Sequence, residues 1–315
     1  MRKNIIFLIG ILFINIGFAQ KYKSEELFIK TADSIKISGT LILPKKEFKK
    51  LTLAIIIAGS GPTDRDGNSG LMINNSLKYL AEGLVKHKIA SFRYDKRAIG
   101  KSLSSSIREI DLRFEDYIND PVALVNYFKN DKRFDNIVII GHSEGSLLGM
   151  IASKKADVSQ FISISGVGRT ADNILEDQLK MQYSHDLTRT ILDSLKAGFT
   201  VSELGKLKSL FRPSVQPYMI SWFKYNPQVE IKRLTCPVLI LQGDNDIQVK
   251  VSEAELLKTA YPKAEYEIIP HMNHLMKIVK GDFNENLKSY YNPKLPDSKA
   301  LINRISKFIL SDYKK

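Results

Sequence analysis

The sequence predicts an α/β protein with a mostly parallel central sheet and helices on both faces. Apolar, β-branched segments alternate with helical segments between about residues 50 and 165, which is typical of parallel strands joined by crossover helices. One apolar strand also runs straight into a helix through a tight turn at residues 141–145. The 315 residues suffice for one large core, or for one domain with a modest insertion.

The elements follow in chain order. An antiparallel pair comes first, because two strand-like segments flank a turn at Asp33 and Ser34. Strands are predicted at residues 27–31, 35–44, 51–57, 89–94, 136–141, 158–165, 237–242 and 264–270. Helices are predicted at residues 76–88, 114–129 and 143–154, and, where the alternation stops, at residues 170–197 and 201–211.

The N-terminus has the pattern of a secretory signal peptide. Arg2 and Lys3 precede an apolar run at residues 5–18 that ends in small residues near Ala19. The run is shorter than the ~20 residues of a membrane span, which leaves an uncleaved anchor as the alternative. We predict a signal peptide at residues 1–19, a domain at residues 20–315, no stable membrane insertion after cleavage, and a secreted or periplasmic location.

Composition argues against several classes of function. The formal net charge is +13 at pH 7, but the lysines are scattered in short runs, with no basic stripe interleaved with aromatic residues. We therefore expect a solvated basic surface and no nucleic-acid partner. The five histidines form no H-E-x-x-H pair and Cys236 is the only cysteine, so no metal site is predicted.

Residues 141–145, Gly-His-Ser-Glu-Gly, match the pattern G-x-S-x-G. Residues 136–140 before them are typical of a buried strand, and residues 146–152 after them of a helix. A strand-to-helix turn this tight needs small residues two before and two after the serine, and it holds the hydroxyl clear of the sheet. Ser143 is thus a candidate nucleophile.

A nucleophilic serine needs a base and an orienting carboxylate, which on such a sheet follow in the order Ser, Asp/Glu, His after later strands. Asp244 and Asp246 follow the strand predicted at residues 237–242. His271 and His274 follow the strand predicted at residues 264–270. The pattern alone leaves both pairs open, because each second residue is also ordinary turn or surface chemistry.

Taken together, these motifs resemble the α/β-hydrolase superfamily, and more specifically its bacterial carboxylesterase and serine-aminopeptidase-like branch. In that family the acid falls three residues after a glycine, and the base follows Asn or Gly and precedes an apolar residue. The resemblance therefore implies a triad of Ser143, Asp246 and His274. The matching segments span nearly the whole mature chain, at residues 59–67, 94–102, 141–146, 243–249 and 273–275.

Two residues depart from the family pattern. Ala98 stands where the family often has Gly, and Ala58 stands where it usually has His before Gly. The second change leaves the oxyanion hole possible, because the hole uses backbone N–H groups, here those of Glu144 and Ser60. Alternatives for the loop at residues 59–61 are a plain Gly-rich turn or a phosphate cradle, but the Walker pattern is absent.

The superfamily places a cap between its sixth and seventh strands, where the alternation stops here. We predict a cap insertion at about residues 167–233, with an aromatic, proline-punctuated stretch at residues 213–227. Tyr218, Trp222 and Phe223 are candidates to line a substrate pocket. Packing of the cap onto the body is the alternative.

The resemblance implies a serine hydrolase that cleaves small-molecule carboxylic esters through an acyl-enzyme and requires no cofactor. Alternatives are a serine peptidase of the aminopeptidase type, with Glu144 binding the substrate amine, an acyltransferase, or an inactive fold that binds a ligand. Arg65 could bind a substrate carboxylate or pair with the neighbouring Asp64 or Asp66.

Overall fold

One sheet organises the chain in the computed structural model, which describes residues 22–180 and 182–311. The predicted signal peptide lies outside these ranges. The eight strands are β1 (Tyr22–Lys30), β2 (Lys36–Pro44), β3 (Leu51–Ile57), β4 (Ala90–Tyr94), β5 (Phe134–His142), β6 (Gln160–Ile164), β7 (Val238–Gly243) and β8 (Glu265–Ile269).

The strand order across the sheet is β1-β2-β4-β3-β5-β6-β7-β8. Strand β2 runs antiparallel to both of its neighbours, and the pairs from β4 to β8 are parallel. This confirms the predicted antiparallel start and mostly parallel sheet. The carboxyl ends of β3, β5, β7 and β8 consequently share one edge, where such sheets place their sites.

The sheet is buried on both faces because consecutive residues of its central strands are apolar. In β5, Ile137 and Ile139 pack into one hydrophobic cluster, while Val138 and Ile140 pack into the other.

The helices are α1 (Ser76–Lys86), α2 (Phe114–Lys129), α3 (Glu144–Ala156), α4 (Ala171–Leu179), α5 (His185–Lys196), α6 (Gln216–Trp222), α7 (Pro227–Lys232), α8 (Val251–Ala260), α9 (Phe283–Ser289) and α10 (Lys299–Leu310).

Helices cover both faces, as predicted. Residues of α2, α3 and α8 belong to one cluster, and residues of α1 and α10 belong to the other. Within the two described ranges, no helix is both long and apolar enough to cross a membrane.

The segment between β6 and β7, which we call the cap segment, holds α4 to α7. Its apolar residues form a cluster of their own, which includes Leu195, Phe211 and Met219. Contacts with α2 join it to the body: the rings of Phe114 and Trp222 stack with centroids 5.9 Å apart, and the Phe114 N–H donates to Ser221 Oγ at 2.7 Å.

Two predicted helices of the cap segment are wrong. The helix expected at residues 170–197 is two helices, because the backbone at Ser184 is extended and α5 begins anew after it. At residues 201–211 only a short 3-10 turn forms, Gly205–Leu207. Gly205 has a φ of +49°, and the Gln216 side chain bonds the backbone of Val201 and Phe211 in place of helical hydrogen bonds.

We expect Phe128→Ala to lower the free energy of unfolding by about 3–5 kcal/mol, because the ring is fully buried and would leave a cavity. Phe128 packs edge-on against Phe92 at 4.9 Å and Phe134 at 5.8 Å. Tyr127→Ala on the same helix is the control, since Tyr127 is 47% exposed, and it should cost less than ~1 kcal/mol. Urea unfolding measures both, and similar losses would contradict the packing.

Candidate active site

Ser143 lies on a strained turn between β5 and α3. Its backbone has φ 55° and ψ −123°, a region that residues with a side chain rarely occupy. A Cβ atom at Gly141 would lie 2.2 Å from the carbonyl oxygen of Gly145, and one at Gly145 would lie 2.4 Å from that of Ile57. Both flanking glycines are therefore required by close backbone contacts.

The structure brings Asp246 and His274 together at the ends of β7 and β8. His274 Nδ1 lies 2.8 Å from Asp246 Oδ2, and both side chains are buried. Asp246 Oδ1 accepts hydrogen bonds from the backbone N–H groups of Gln248 at 2.8 Å and Val249 at 2.9 Å. Burial alone would raise the pKa of Asp246, but His274 and these N–H groups outweigh it and hold the pKa below the usual value.

The competing pair, Asp244 and His271, lies elsewhere. Both residues are exposed, and Asp244 Oδ1 accepts the backbone N–H of His271 at 2.6 Å. This contact stabilises the turn after β8, where His271 has a φ of 60°. The structure thus favours the assignment that the resemblance implied, Asp246 with His274.

Two cavities meet at Ser143. The first, the His274 cavity, has a volume of about 280 Å³ and is lined in part by the polar side chains of Ser69, Asn74, Gln248 and His274. The second, the cap cavity, has a volume of about 450 Å³, and apolar residues of the cap segment form most of its wall. Ser60, Gly61, Pro62 and Ser143 line both.

The Ser143 hydroxyl makes no hydrogen bond to the described residues, so the contact with His274 is not closed in this conformation. Catalytic hydrogen bonds in free enzymes are often long and tighten only with substrate bound.

Three aromatic residues were predicted to line a pocket. Tyr218 and Trp222 line the cap cavity, together with Met219. Phe223 lines neither cavity: it is 4% exposed and packs in the apolar cluster of the cap segment. The alternative interpretation, packing within the protein, therefore describes Phe223.

The loop after β3 lies directly against the serine turn. A Cβ atom at Gly59 would lie 3.0 Å from Ser143 Cβ, and the next residue, Ser60, lines both cavities. The N–H groups of Ser60 and Glu144 thus belong to the two backbone segments that border Ser143.

Glu144 is buried, and its Oε1 atom has no hydrogen-bond partner among the described residues. Burial raises the pKa of its carboxyl, and the nearby Lys96 and Tyr218 oppose this in part. Lys96, which was not predicted as a site residue, is also buried, and its Nζ donates to the carbonyl oxygen of Gly59 at 2.5 Å.

Arg65 lies outside both cavities and has partners other than those predicted. Its guanidinium pairs with Asp95 and Glu26, each at 2.8 Å, rather than with Asp64 or Asp66. These bonds tie the loop after β3 to β1 and to the end of β4. Among the residues that the structure describes, no cluster of three or more His, Cys, Asp or Glu side chains could hold a metal ion.

Solved structures share this architecture. Est1E from Butyrivibrio proteoclasticus, in its ferulic acid complex, aligns with a TM-score of 0.60 at 19% identity, over 90% of this chain and 98% of its own. The α/β hydrolase GrgF from Penicillium sp. sh18 aligns with a TM-score of 0.56 at 17% identity, over 85% of this chain and 98% of its own. The chain has the α/β-hydrolase fold.

In sequence, the chain is similar to Esterase EstD of Thermotoga maritima, with 25% identity over 284 residues. The alignment covers 87% of this chain and 65% of EstD, so the chain spans slightly less than two thirds of the length of that relative. No protein-family model matches the chain.

His142, the residue before Ser143, holds the loop that carries His274, a contact that was not predicted. Its Nε2–H donates to the carbonyl oxygen of His274 at 2.8 Å. Burial, reinforced by the neighbouring His274 ring, lowers the pKa of His142 to about 3. The ring is therefore neutral near pH 7 and carries its proton on Nε2.

We expect His142 to make the fold sensitive to acid. Because its folded pKa lies below the unfolded value of about 6.5, the unfolded chain binds more protons as the pH falls, and stability is lost. Between pH 7 and pH 4.5 this amounts to about 2.5 kcal/mol. Urea unfolding of wild type and His142→Asn at both pH values measures it. The difference in the free energy of unfolding between wild type and His142→Asn should be smaller by that amount at pH 4.5 than at pH 7. An unchanged difference would contradict the lowered pKa of His142.

Proposed function

We propose that the chain is a serine hydrolase that cleaves carboxylic esters through an acyl-enzyme. One observation carries the proposal: the buried Asp246–His274 pair, joined at 2.8 Å, opens into the same cavity as a serine held on a strained turn. This is the arrangement that activates a hydroxyl nucleophile. The similarity to Esterase EstD supports the ester as the bond that is cleaved.

In the proposed mechanism, Ser143 Oγ attacks the ester carbonyl carbon while His274 Nε2 takes the hydroxyl proton. Asp246 keeps the other proton on Nδ1 and stabilises the imidazolium that forms. The C–O bond to the alcohol then breaks as His274 returns the proton to the leaving oxygen. Water repeats the sequence on the acyl-enzyme and releases the carboxylic acid.

Two backbone N–H groups would hold the oxyanion, those of Ser60 and Glu144. Glu144 is the first residue of α3, so the positive end of the helix dipole adds to its effect. Each donor of this kind is worth about 3 kcal/mol of transition-state stabilisation.

The two cavities divide the substrate. Because His274 must protonate the leaving oxygen, the alcohol part belongs in the His274 cavity, whose polar side chains suit a hydroxylated alcohol. The acyl part then belongs in the cap cavity, which suits an alkyl or aromatic group. The complex of Est1E with ferulic acid, an aromatic carboxylic acid, supports an aromatic acyl group here as well.

The peptidase alternative depends on Glu144 binding a substrate amine. Glu144 lines the cap cavity, but its Oε1 atom is buried, and the similarity to Esterase EstD favours an ester. We therefore propose a small-molecule ester as the substrate, with no cofactor and no nucleic-acid partner, and a secreted or periplasmic location that follows from the predicted signal peptide.

Hydrolysis of p-nitrophenyl acetate, butyrate and octanoate, compared with aminoacyl-p-nitroanilides, tests the function. We expect ester turnover by wild type and a loss of at least ~10⁴-fold in Ser143→Ala, because the nucleophile is removed. Anilide turnover above ester turnover would indicate a peptidase instead. Adding an alcohol acceptor and measuring the ester formed separates hydrolysis from acyl transfer.

Asp244, in the same turn, is a matched control for the proposed catalytic carboxylate of Asp246. Asp246→Asn should lower kcat by about 10³–10⁴-fold, because an amide stabilises the wrong imidazole tautomer. Asp244→Asn should change kcat less than about threefold, since that carboxylate contacts only the His271 backbone. Steady-state kinetics on p-nitrophenyl butyrate measures kcat for both variants. A larger loss in Asp244→Asn than in Asp246→Asn would assign the orienting role to Asp244 instead.

If the acyl part of the substrate occupies the cap cavity, the lining of that cavity should set the preference for acyl chain length. Leu175→Trp fills the cap cavity, so it should lower the octanoate-to-acetate ratio of kcat/KM by about tenfold or more. Met72→Trp fills the His274 cavity and should leave that ratio unchanged, because all these esters share one alcohol. If Met72→Trp shifts the ratio instead, the acyl and alcohol sides are exchanged.

A further inference from the structure

Lys96 is a buried cation behind the serine turn. It lies two residues after the end of β4, is 3% exposed, and its Nζ donates to the Gly59 carbonyl oxygen at 2.5 Å. The Tyr117 ring lies 5.8 Å from Nζ. Burial lowers the pKa of Lys96, and the Glu144 carboxylate opposes this in part.

The bonded carbonyl belongs to the same peptide unit as the Ser60 N–H. This unit is planar and trans, since the described chain has no cis peptide bond, so its C=O and N–H point in opposite directions. A group that holds the Gly59 oxygen therefore fixes the direction of the Ser60 N–H. That N–H makes no hydrogen bond to the described residues, and Ser60 lines both cavities at Ser143.

A comparison with a second buried lysine shows that Lys96 is not held by a direct ion pair. Lys277 Nζ lies 2.6 Å from Asp297, and both side chains are fully buried. Lys96 makes no ion pair with a carboxylate of the described residues, and Glu144 acts on it from a longer distance. Burying a cation this way is costly unless a strong hydrogen bond compensates, and the bond to Gly59 is the one present.

We propose that Lys96 positions the Ser60 N–H as an oxyanion donor by holding the Gly59 carbonyl. A charged donor on the oxygen also polarises the peptide, which strengthens the N–H on its other side as negative charge develops on the substrate. Lys96 touches no reacting atom and is therefore a positioning residue. Because the oxyanion forms only in the transition state, we expect the effect of Lys96 on kcat. This inference rests on the proposed hydrolase function.

Lys96→Met tests the inference with p-nitrophenyl butyrate. We expect kcat to fall about 10²-fold, the loss typical of removing one oxyanion donor, while KM changes less than about threefold. Affinity for butylboronic acid, which forms a tetrahedral adduct with the serine, should fall by a similar factor as kcat. Lys96→Arg keeps a cationic donor and should recover at least about tenfold of the lost kcat.

Lys129→Met is the matched control. Lys129 Nζ also donates to a backbone carbonyl at 2.5 Å, that of Ala156, at the far end of α2. This variant should keep wild-type kcat and boronic acid affinity. If Lys96→Met does not fold, as judged by circular dichroism, Lys96→Gln replaces it: its amide is one atom too short for the carbonyl, and the same loss is required.

Three outcomes overturn the inference: folded Lys96→Met with wild-type kcat, an equal loss in Lys129→Met, or a loss of kcat with unchanged boronic acid affinity. Absence of ester turnover in the wild type would instead defeat the proposed function. The two failures are thus distinguishable.

Discussion

The site depends on one close backbone approach, between the serine turn and the end of β3. Gly145 meets the Ile57 carbonyl and Gly59 meets the Ser143 side chain at distances that leave no room for a further Cβ atom. Two parallel neighbours, β3 and β5, set this spacing through their hydrogen-bonded register. Ser143 and the loop that borders it are therefore held in place by main-chain contacts.

Several buried polar groups near the site are held by backbone groups. Asp246 accepts two N–H groups, Lys96 donates to a carbonyl, and His142 donates to another while staying neutral. Farther away, charges are balanced by direct pairs such as Lys277 with Asp297. Fixed dipoles need no reorganisation when charge moves during a reaction, whereas a tight ion pair resists such a change.

Much of the fold was predictable because buried parallel strands leave continuous apolar runs in the sequence. The place of Ser143 after such a run was predictable, whereas the choice of Asp246 over Asp244 and of His274 over His271 came from the family resemblance. Lys96 and His142 were missed because their partners lie 37 and 132 residues away, beyond any local pattern. The helix predicted at residues 201–211 is wrong for a similar reason, because the Gln216 side chain, which lies outside that segment, bonds its backbone.

The separate apolar cluster of the cap segment has an evolutionary consequence. Its core, around Leu195 and Phe211, is distinct from the two clusters that support the sheet, so replacements there need not alter the strands that position Ser143, Asp246 and His274. The cap segment also supplies most of one cavity wall. Substitutions in this segment can therefore change the substrate preference of the proposed hydrolase while Ser143, Asp246 and His274 stay in place.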